Sequence, residues 1–225
     1  MRPMITLLIA TRNAHKVGEI AAILGAGFRY LKIQGDDDLP VVVEDAPTFA
    51  GNAVKKAETI ARALLLRSVS RLPAAQEKFF VLADDSGLEV DALGGAPGVH
   101  SARFAALDSG ADGNSTDADN NAKLLRLLAD VPQARRTARF RCVLALVEVN
   151  RAVPMLAPQV FEGACEGRID FAPRGVGGFG YDPLFIPLGQ DKSFAELGES
   201  VKNGLSHRAK ALAELREWFK GSGEK

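Results

Sequence analysis

Two adjacent carboxylates, Asp84 and Asp85, stand where an apolar run from Phe79 to Leu82 gives way to Ser86 and Gly87. From Leu82 to Arg103 the stretch reads LADDSGLEVDALGGAPGVHSAR, a short apolar alternation followed by small residues and glycines around Pro97. An acidic pair at the end of a strand is a common way to hold a hard cation or orient a water. Asp, Ser and Gly are equally the residues of a turn, for local hydrogen-bonding reasons. Taken by themselves, these residues leave both readings standing.

Cations occupy two places where they are electrostatically disfavoured. His15 and Lys16 fall in the first turn after Asn13, and His207 and Arg208 in the first turn after Ser206; both Asn and Ser are good helix caps. A helix start carries about half a positive charge, so a cation there costs about 0.3–1 kcal/mol. A surface helix tolerates that cost, and a bound polyanion would offset it; local rule-breaking of this kind tends to mark functional sites. A third feature is RGVGGFGYDP, Arg174 to Pro183, whose glycines imply irregular backbone that lets something approach closely.

Periodicity gives the elements that must position these groups. The continuous apolar run from Ile5 to Ala10 predicts a strand buried on both faces, and Val17, Ile20, Ala21 and Leu24 predict a helix capped by Asn13. Strand, tight polar loop and helix start together make a natural anion site, without the glycine pattern of a P-loop. A second strand is expected at Phe28–Ile33, a loop at Asp36–Pro40, and a further strand ahead of Glu44 at Val41–Val43. A long helix from about Thr48 to Leu66 has the stripe Phe49, Ala53, Ala57, Ile60, Ala61, Leu64 and Leu65, with Asn52 and Lys56 away from its centre. Ser68–Lys78 reads as an exposed connector and Asp108–Asp119 as a polar loop before a short helix at Ala122–Leu128. Phe140, Cys142, Leu144 and Leu146 alternate in a long strand, which Phe161–Ile169 pairs with through a loop containing Pro154 and Pro158. A short strand at Leu184–Ile186 and a helix marked by Leu205, Ala209, Leu212, Leu215 and Phe219 complete the chain, which shows no repeats and no interdomain linker.

Bulk composition narrows the classes. At 225 residues the chain has room for one large domain or two small lobes. Lys plus Arg and Asp plus Glu are 28 each, which argues against a protein that coats nucleic acid or binds membranes through a polybasic face. Two cysteines, Cys142 and Cys165, are too few for a disulfide framework and fit a reducing compartment as buried thiols. The N-terminal apolar run is too short for a signal peptide and nothing approaches a membrane span, so a cytoplasmic protein is expected.

Five stretches occur in an order that resembles a known family: TRNAHK (Thr11–Lys16), EDAPTFAGNAVKKA (Glu44–Ala57), ADDSGLEVDALGGAPGVHSARFA (Ala83–Ala105), GGFGYDPLF (Gly177–Phe185) and KNGLSHRAKAL (Lys202–Leu212). They resemble the non-canonical purine nucleoside triphosphate pyrophosphatases, the inosine triphosphatase family, over nearly the whole chain. The resemblance implies an α/β fold, with an elongated mixed central sheet flanked by helices. It implies one domain, 1–225, of two lobes with the active-site cleft between them, related to the Maf fold. It also implies hydrolysis of ITP, dITP and XTP to the monophosphate and pyrophosphate with Mg²⁺, and a homodimer. Position by position, Asp85 matches the family's catalytic acceptor and metal carboxylate, and Glu44 its second metal acid. Thr11, Arg12, Asn13, Ala14, His15 and Lys16 match the first substrate loop, and Ser86 a further substrate contact. Phe179, Gly180, Tyr181, Asp182, Lys202, His207 and Arg208 match the nucleotide-binding positions, with Lys56 and Asp84 as possible additions. Arg12 departs from the smaller residue common there, and the connectors at 67–78 and 150–158 are longer than expected; none touches a carried-over residue.

The residue types suit that chemistry. Cleavage between the α- and β-phosphates needs a bridging cation, a positioned water and charge around the leaving pyrophosphate. Glu44 and Asp85 offer the one or two carboxylates that Mg²⁺ prefers, and Asp85 a proton acceptor, while Asp84 is a further ligand or the residue that fixes the turn. Lys16, Lys56 and Lys202 offer point charges for the triphosphate, and Asn13 a donor; solvated surface lysines are the plainer reading, most of all for Lys56. Arg208 has only donors, so facing C6 of a purine it satisfies the carbonyl of hypoxanthine or xanthine and not the amine of adenine. Phe179 either stacks on the base or packs in the core, Asp182 before Pro183 is equally a turn residue, and His100 is structural. The competing classes are a Maf-type pyrophosphatase acting on pyrimidine or modified nucleotides, and a nucleotide-binding regulator without catalysis.

Overall fold

The first strand, β1 (Ile5–Ile9), has Leu7 and Ile9 fully buried and Leu8 nearly so, as its unbroken apolar sequence requires. The computed structural model describes residues 4–33, 39–66, 78–108, 110, 113–150 and 157–221. The remaining elements are α1 (Ala14–Leu24), β2 (Phe28–Lys32), α2 (Phe49–Leu66), β3 (Lys78–Val90), α3 (Asp117–Leu127), β4 (Thr137–Glu148), β5 (Gln159–Ile169), β6 (Phe185–Pro187), α4 (Phe194–Leu205) and α5 (His207–Gly221). They form a mixed six-stranded sheet in the order β2-β1-β3-β4-β5-β6, flanked by helices. β1 runs parallel to β2 and β3, with Ile9 opposite Lys32 and Leu82, whereas β5 and β6 are antiparallel.

The chain divides into two units. The first comprises Met1–Asp85, Val143–Glu162 and Ala211–Lys225, and the second Ser86–Cys142 and Gly163–Lys210. In the first unit, the path from β1 to β2 steps one way across the sheet and the path from β2 to β3 steps back past β1. Right-handed crossovers in opposite directions put α1 and α2 on opposite faces. Its aromatic core joins Phe80 to Trp218 and Phe219 at 6.1 and 5.2 Å between ring centroids, and Phe28 to Phe219 at 5.2 Å.

The second unit has its own core of Leu88, Val90, Phe104, Leu124, Phe140, Tyr181, Phe185 and Phe194, among others. Phe185 lies 4.7 Å from Phe140 and 5.3 Å from Phe194. Arg136 is 2% exposed, and its guanidinium donates to the carbonyls of Leu128, Val131 and Asp170. A buried cation thereby ties carbonyls in the segment beyond α3 to one at the end of β5.

Several expectations are met. Asn13 caps α1, its Oδ1 accepting from the His15 and Lys16 amides, and Ser206 Oγ accepts from the Ala209 amide at the start of α5. β4 and β5 are neighbours, and Cys142 and Cys165 on them are free, buried thiols.

Others are corrected. β3 does not end in a turn after Leu82 but runs on through Asp84, Asp85, Ser86 and Gly87 to Val90, because Leu88 and Val90 resume the buried face. Val41 and Val43 form no strand; both are exposed and the segment ahead of Glu44 is irregular. Asn52 and Lys56 are buried in the interior face of α2. α3 starts at Asp117, earlier than apolar spacing indicates, because Thr116 Oγ1 caps it by accepting from the Asp119 amide. α4 was not expected at all. Residues 36–38 of the expected loop at Asp36–Pro40, most of the Ser68–Lys78 connector and the part of the 150–158 loop that contains Pro154 lie outside the described residues.

Candidate active site

In the first unit the strand alternation of β3 sends neighbouring carboxylates to opposite faces, Asp84 toward α1 and Asp85 toward α2. Lys16, in the first turn of α1, reaches Asp84 Oδ1 at 2.5 Å, and the Asp84 side chain is fully buried. The cation at this helix start is thus offset within the protein by a carboxylate. Asp84 therefore fixes a lysine, not a turn.

Asp85 is 5% exposed. Its Oδ2 accepts from Asn52 Nδ2 at 3.1 Å, and its Oδ1 lies 3.5 Å from Lys56 Nζ. The same ammonium donates to the Asp84 carbonyl at 2.7 Å and stands 3.2 Å from Glu44 Oε2. Glu44 and Asp85, from a loop and a strand, therefore already converge on one cation. Burial pushes the Asp85 carboxyl above the usual range, and the nearby Glu44 charge adds to this, against the opposing pull of Lys56, Lys16 and the Asn52 hydrogen bond.

Asn52 is the residue that sequence reasoning missed. Fully buried, it accepts the Ala46 amide at 2.9 Å and donates to Asp85, so one side chain ties the Glu44 loop to the strand. Its signal was a polar residue four positions before Lys56 on the helix that follows Glu44. The donor set fits Mg²⁺, which takes one or two carboxylates and fills its shell with phosphate oxygens and water. Among the described residues no group of three or more His, Cys, Asp or Glu side chains forms an all-protein metal cage.

Around these groups, Thr11 Oγ1 accepts the Asn13 amide at 3.1 Å. Of the substrate loop read from sequence, Arg12, Asn13, Ala14 and His15 are exposed, whereas Thr11 is half-buried and Lys16 is turned onto Asp84.

The second unit gathers the rest. Lys202 on α4, 3% exposed, donates to Asp182 Oδ2 at 2.6 Å and lies 4.5 Å from the centroid of the Phe179 ring. Asp182 Oδ2 also accepts the Phe179 amide at 2.9 Å, so this buried carboxylate holds both the loop and the lysine. Gly178, at φ +74°, has no room for a Cβ, which would collide with that carboxylate. Tyr181 turns inward, 4% exposed, and donates to the Ser101 carbonyl at 2.8 Å. His207, 4% exposed, stacks on Phe140 at 4.9 Å, and Arg208, 1% exposed, donates from Nη2 to Ser86 Oγ at 2.9 Å. Also unforeseen, Asp117 and Asn121 of α3 bind the two polar atoms of the Gly180 backbone. His100 is exposed and takes no part in either group.

The chain matches the model of the Ham1 family over residues 7–218. A dITP/XTP pyrophosphatase of Opitutus terrae is 46% identical over 223 residues, covering 96% of this chain and 99% of the relative. One of Geobacillus kaustophilus is 49% identical over 212 residues, covering 94% and 92%. Among solved structures, a HAM1 protein from Coxiella burnetii aligns with a TM-score of 0.76 at 35% identity, covering 97% of this chain and all of that one. The Staphylococcus aureus Ham1 protein aligns at 0.75 and 33%, covering 96% and 99%. With its mixed sheet, its ordered motifs and relatives of this closeness over nearly its full length, the chain belongs to the Ham1 family.

Proposed function

We propose that this chain hydrolyses non-canonical purine nucleoside triphosphates (dITP, XTP and ITP) to the monophosphate and pyrophosphate, with Mg²⁺ as cofactor. The observation that carries the reading is the convergence of Glu44 and Asp85 on a single cation position, at 3.2 and 3.5 Å from Lys56 Nζ, in a chain whose relatives are named dITP/XTP pyrophosphatases.

Glu44 and Asp85 would hold the metal, which when bound supplies charge neutralisation and polarises phosphate oxygens. Asp85 orients the attacking water and takes its proton, and burial, by raising its carboxyl above the ordinary value, makes it a stronger base than an exposed aspartate. The water oxygen bonds to phosphorus at the α–β junction, and pyrophosphate leaves with the electrons of the broken P–O bond. Lys16 and Lys56 lower the energy of the negative charge that builds on the phosphate oxygens. Asp84 and Asn52 act through them, the first by holding Lys16 and the second by fixing Asp85.

Arg208 and Phe179 read the base. A buried guanidinium has donors only, so the C6 carbonyl of hypoxanthine or xanthine can accept from it, whereas the C6 amine of adenine sets a donor against a donor. Lys202, anchored by Asp182, adds charge beside the Phe179 ring. The family resemblance also supports a cytoplasmic homodimer, for which sedimentation velocity should give twice the chain mass of 24.0 kDa.

Asp85→Asn tests the chemistry. Removing the proton acceptor and one charged metal ligand should lower kcat for dITP by about 10³-fold, with an unchanged circular dichroism spectrum. Near-wild-type turnover in that variant would remove both roles from Asp85.

A further inference from the structure

We propose that α3 sets the orientation of the Phe179 ring, with Asp117 and Asn121 as positioning residues that govern how tightly the purine is held. The inference rests on Phe179 serving as the stacking surface for the base.

Gly180 stands at φ +63°, in the left-handed region, and α3 takes both of its backbone polar atoms. Asp117 Oδ2 accepts its N–H at 2.6 Å, and Asn121 Nδ2 donates to its carbonyl at 3.0 Å. The two side chains are four residues apart and so share one face of the helix. On the other side of Phe179, Asp182 Oδ2 accepts the Phe179 N–H at 2.9 Å. The peptide planes before and after the Phe179 Cα are therefore each held by a carboxylate, which fixes both backbone dihedrals of that residue and the direction in which its ring leaves the chain. Asn121 Oδ1 is buried without a partner among the described residues.

Asn120, the next residue on α3, serves as a control. It is 3% exposed, accepts the Ala105 amide at 2.8 Å and donates to the Ala102 carbonyl, away from the glycine loop. Asn121→Ala and Asp117→Ala should each raise the KM for dITP by about tenfold while kcat falls less than about threefold, because the carboxylates of the first unit are untouched. Asp117→Asn, which keeps an acceptor, should restore the wild-type KM. In a Phe179→Ala background, Asn121→Ala should add nothing, since residues acting through one another are not additive. Asn120→Ala should lower the melting temperature and leave KM unchanged.

Additive KM effects in the double variant, or an equal KM change in Asn120→Ala, would overturn the proposal. Amide exchange at Phe179 and Gly180, followed by NMR, decides the clamp without turnover: faster exchange in Asn121→Ala than in Asn120→Ala supports it, and equal exchange contradicts it. If the wild type fails to release pyrophosphate from dITP, the proposed function fails while this exchange result still stands on its own.

Discussion

Lys56 is the side chain on which the acidic centre depends. It is 8% exposed, and its ammonium meets Glu44, Asp85 and the Asp84 carbonyl. Removing one partner of a buried ion pair leaves an uncompensated charge, so Lys56→Met should destabilise the metal-free protein by on the order of 3 kcal/mol. Divalent cation should recover much of that, because a ligand that binds only the folded form stabilises it. Thermal melts with and without Mg²⁺ check this: a larger Mg²⁺-induced rise in Tm for the variant than for the wild type is expected. An identical rise in both would separate Lys56 from the cation position. Arg208 makes a second test at this scale. Arg208→Ala should narrow the ratio of kcat/KM for dITP over dATP by on the order of tenfold or more, since the discrimination rests on a donor that meets an acceptor in hypoxanthine and another donor in adenine. An unchanged ratio would move base selection to other residues.

At the scale of elements, α4 shows how a short helix is both hidden and stabilised. Ser193 Oγ accepts the Glu196 amide at 3.3 Å while Glu196 Oε2 accepts the Ser193 amide at 2.9 Å, a reciprocal capping box. Ser193 also donates to the Arg174 carbonyl at 2.6 Å, linking the start of α4 to the glycine-rich loop. Ser193→Ala should cost about 1–2 kcal/mol in urea denaturation and raise KM through a displaced Lys202. The Ser-x-x-Glu spacing was legible, but Gly198, which stands at φ +79° inside the element, is a residue that argues against a continuous helix there. The long helices α2 and α5 and the buried strand β1 were legible because burial imposes a period on sequence. β3 was not, because Asp84-Asp85-Ser86-Gly87 has turn composition. Lysines and an asparagine brought from α1 and α2 explain how two carboxylates sit inside a strand. The candidate site was legible as motifs, through the resemblance, while Asn52, Asp117 and Asn121 act through contacts 33 to 63 residues away that no local pattern encodes.

Across the whole molecule, charge is balanced at 28 basic and 28 acidic residues, and among the described residues no helix is long and apolar enough to cross a membrane. The two thiols report on the integrity of the second unit. Cys165 is 4% exposed, and burial pushes its pKa up to about 11. The thiolate, not the thiol, reacts. At pH 8 the folded protein should therefore react with Ellman's reagent only slowly at both cysteines, and rapidly after denaturation; fast modification of the native protein would show that this core opens. The central claim, a base-selective pyrophosphatase built on Glu44 and Asp85, is tested most directly by measuring pyrophosphate released from dITP, XTP, dATP, dGTP and dTTP, each with Mg²⁺ and with EDTA. The expected result is Mg²⁺-dependent pyrophosphate from dITP and XTP, with little from the other three. Release of orthophosphate, preference for dTTP, or turnover undiminished by EDTA would contradict it.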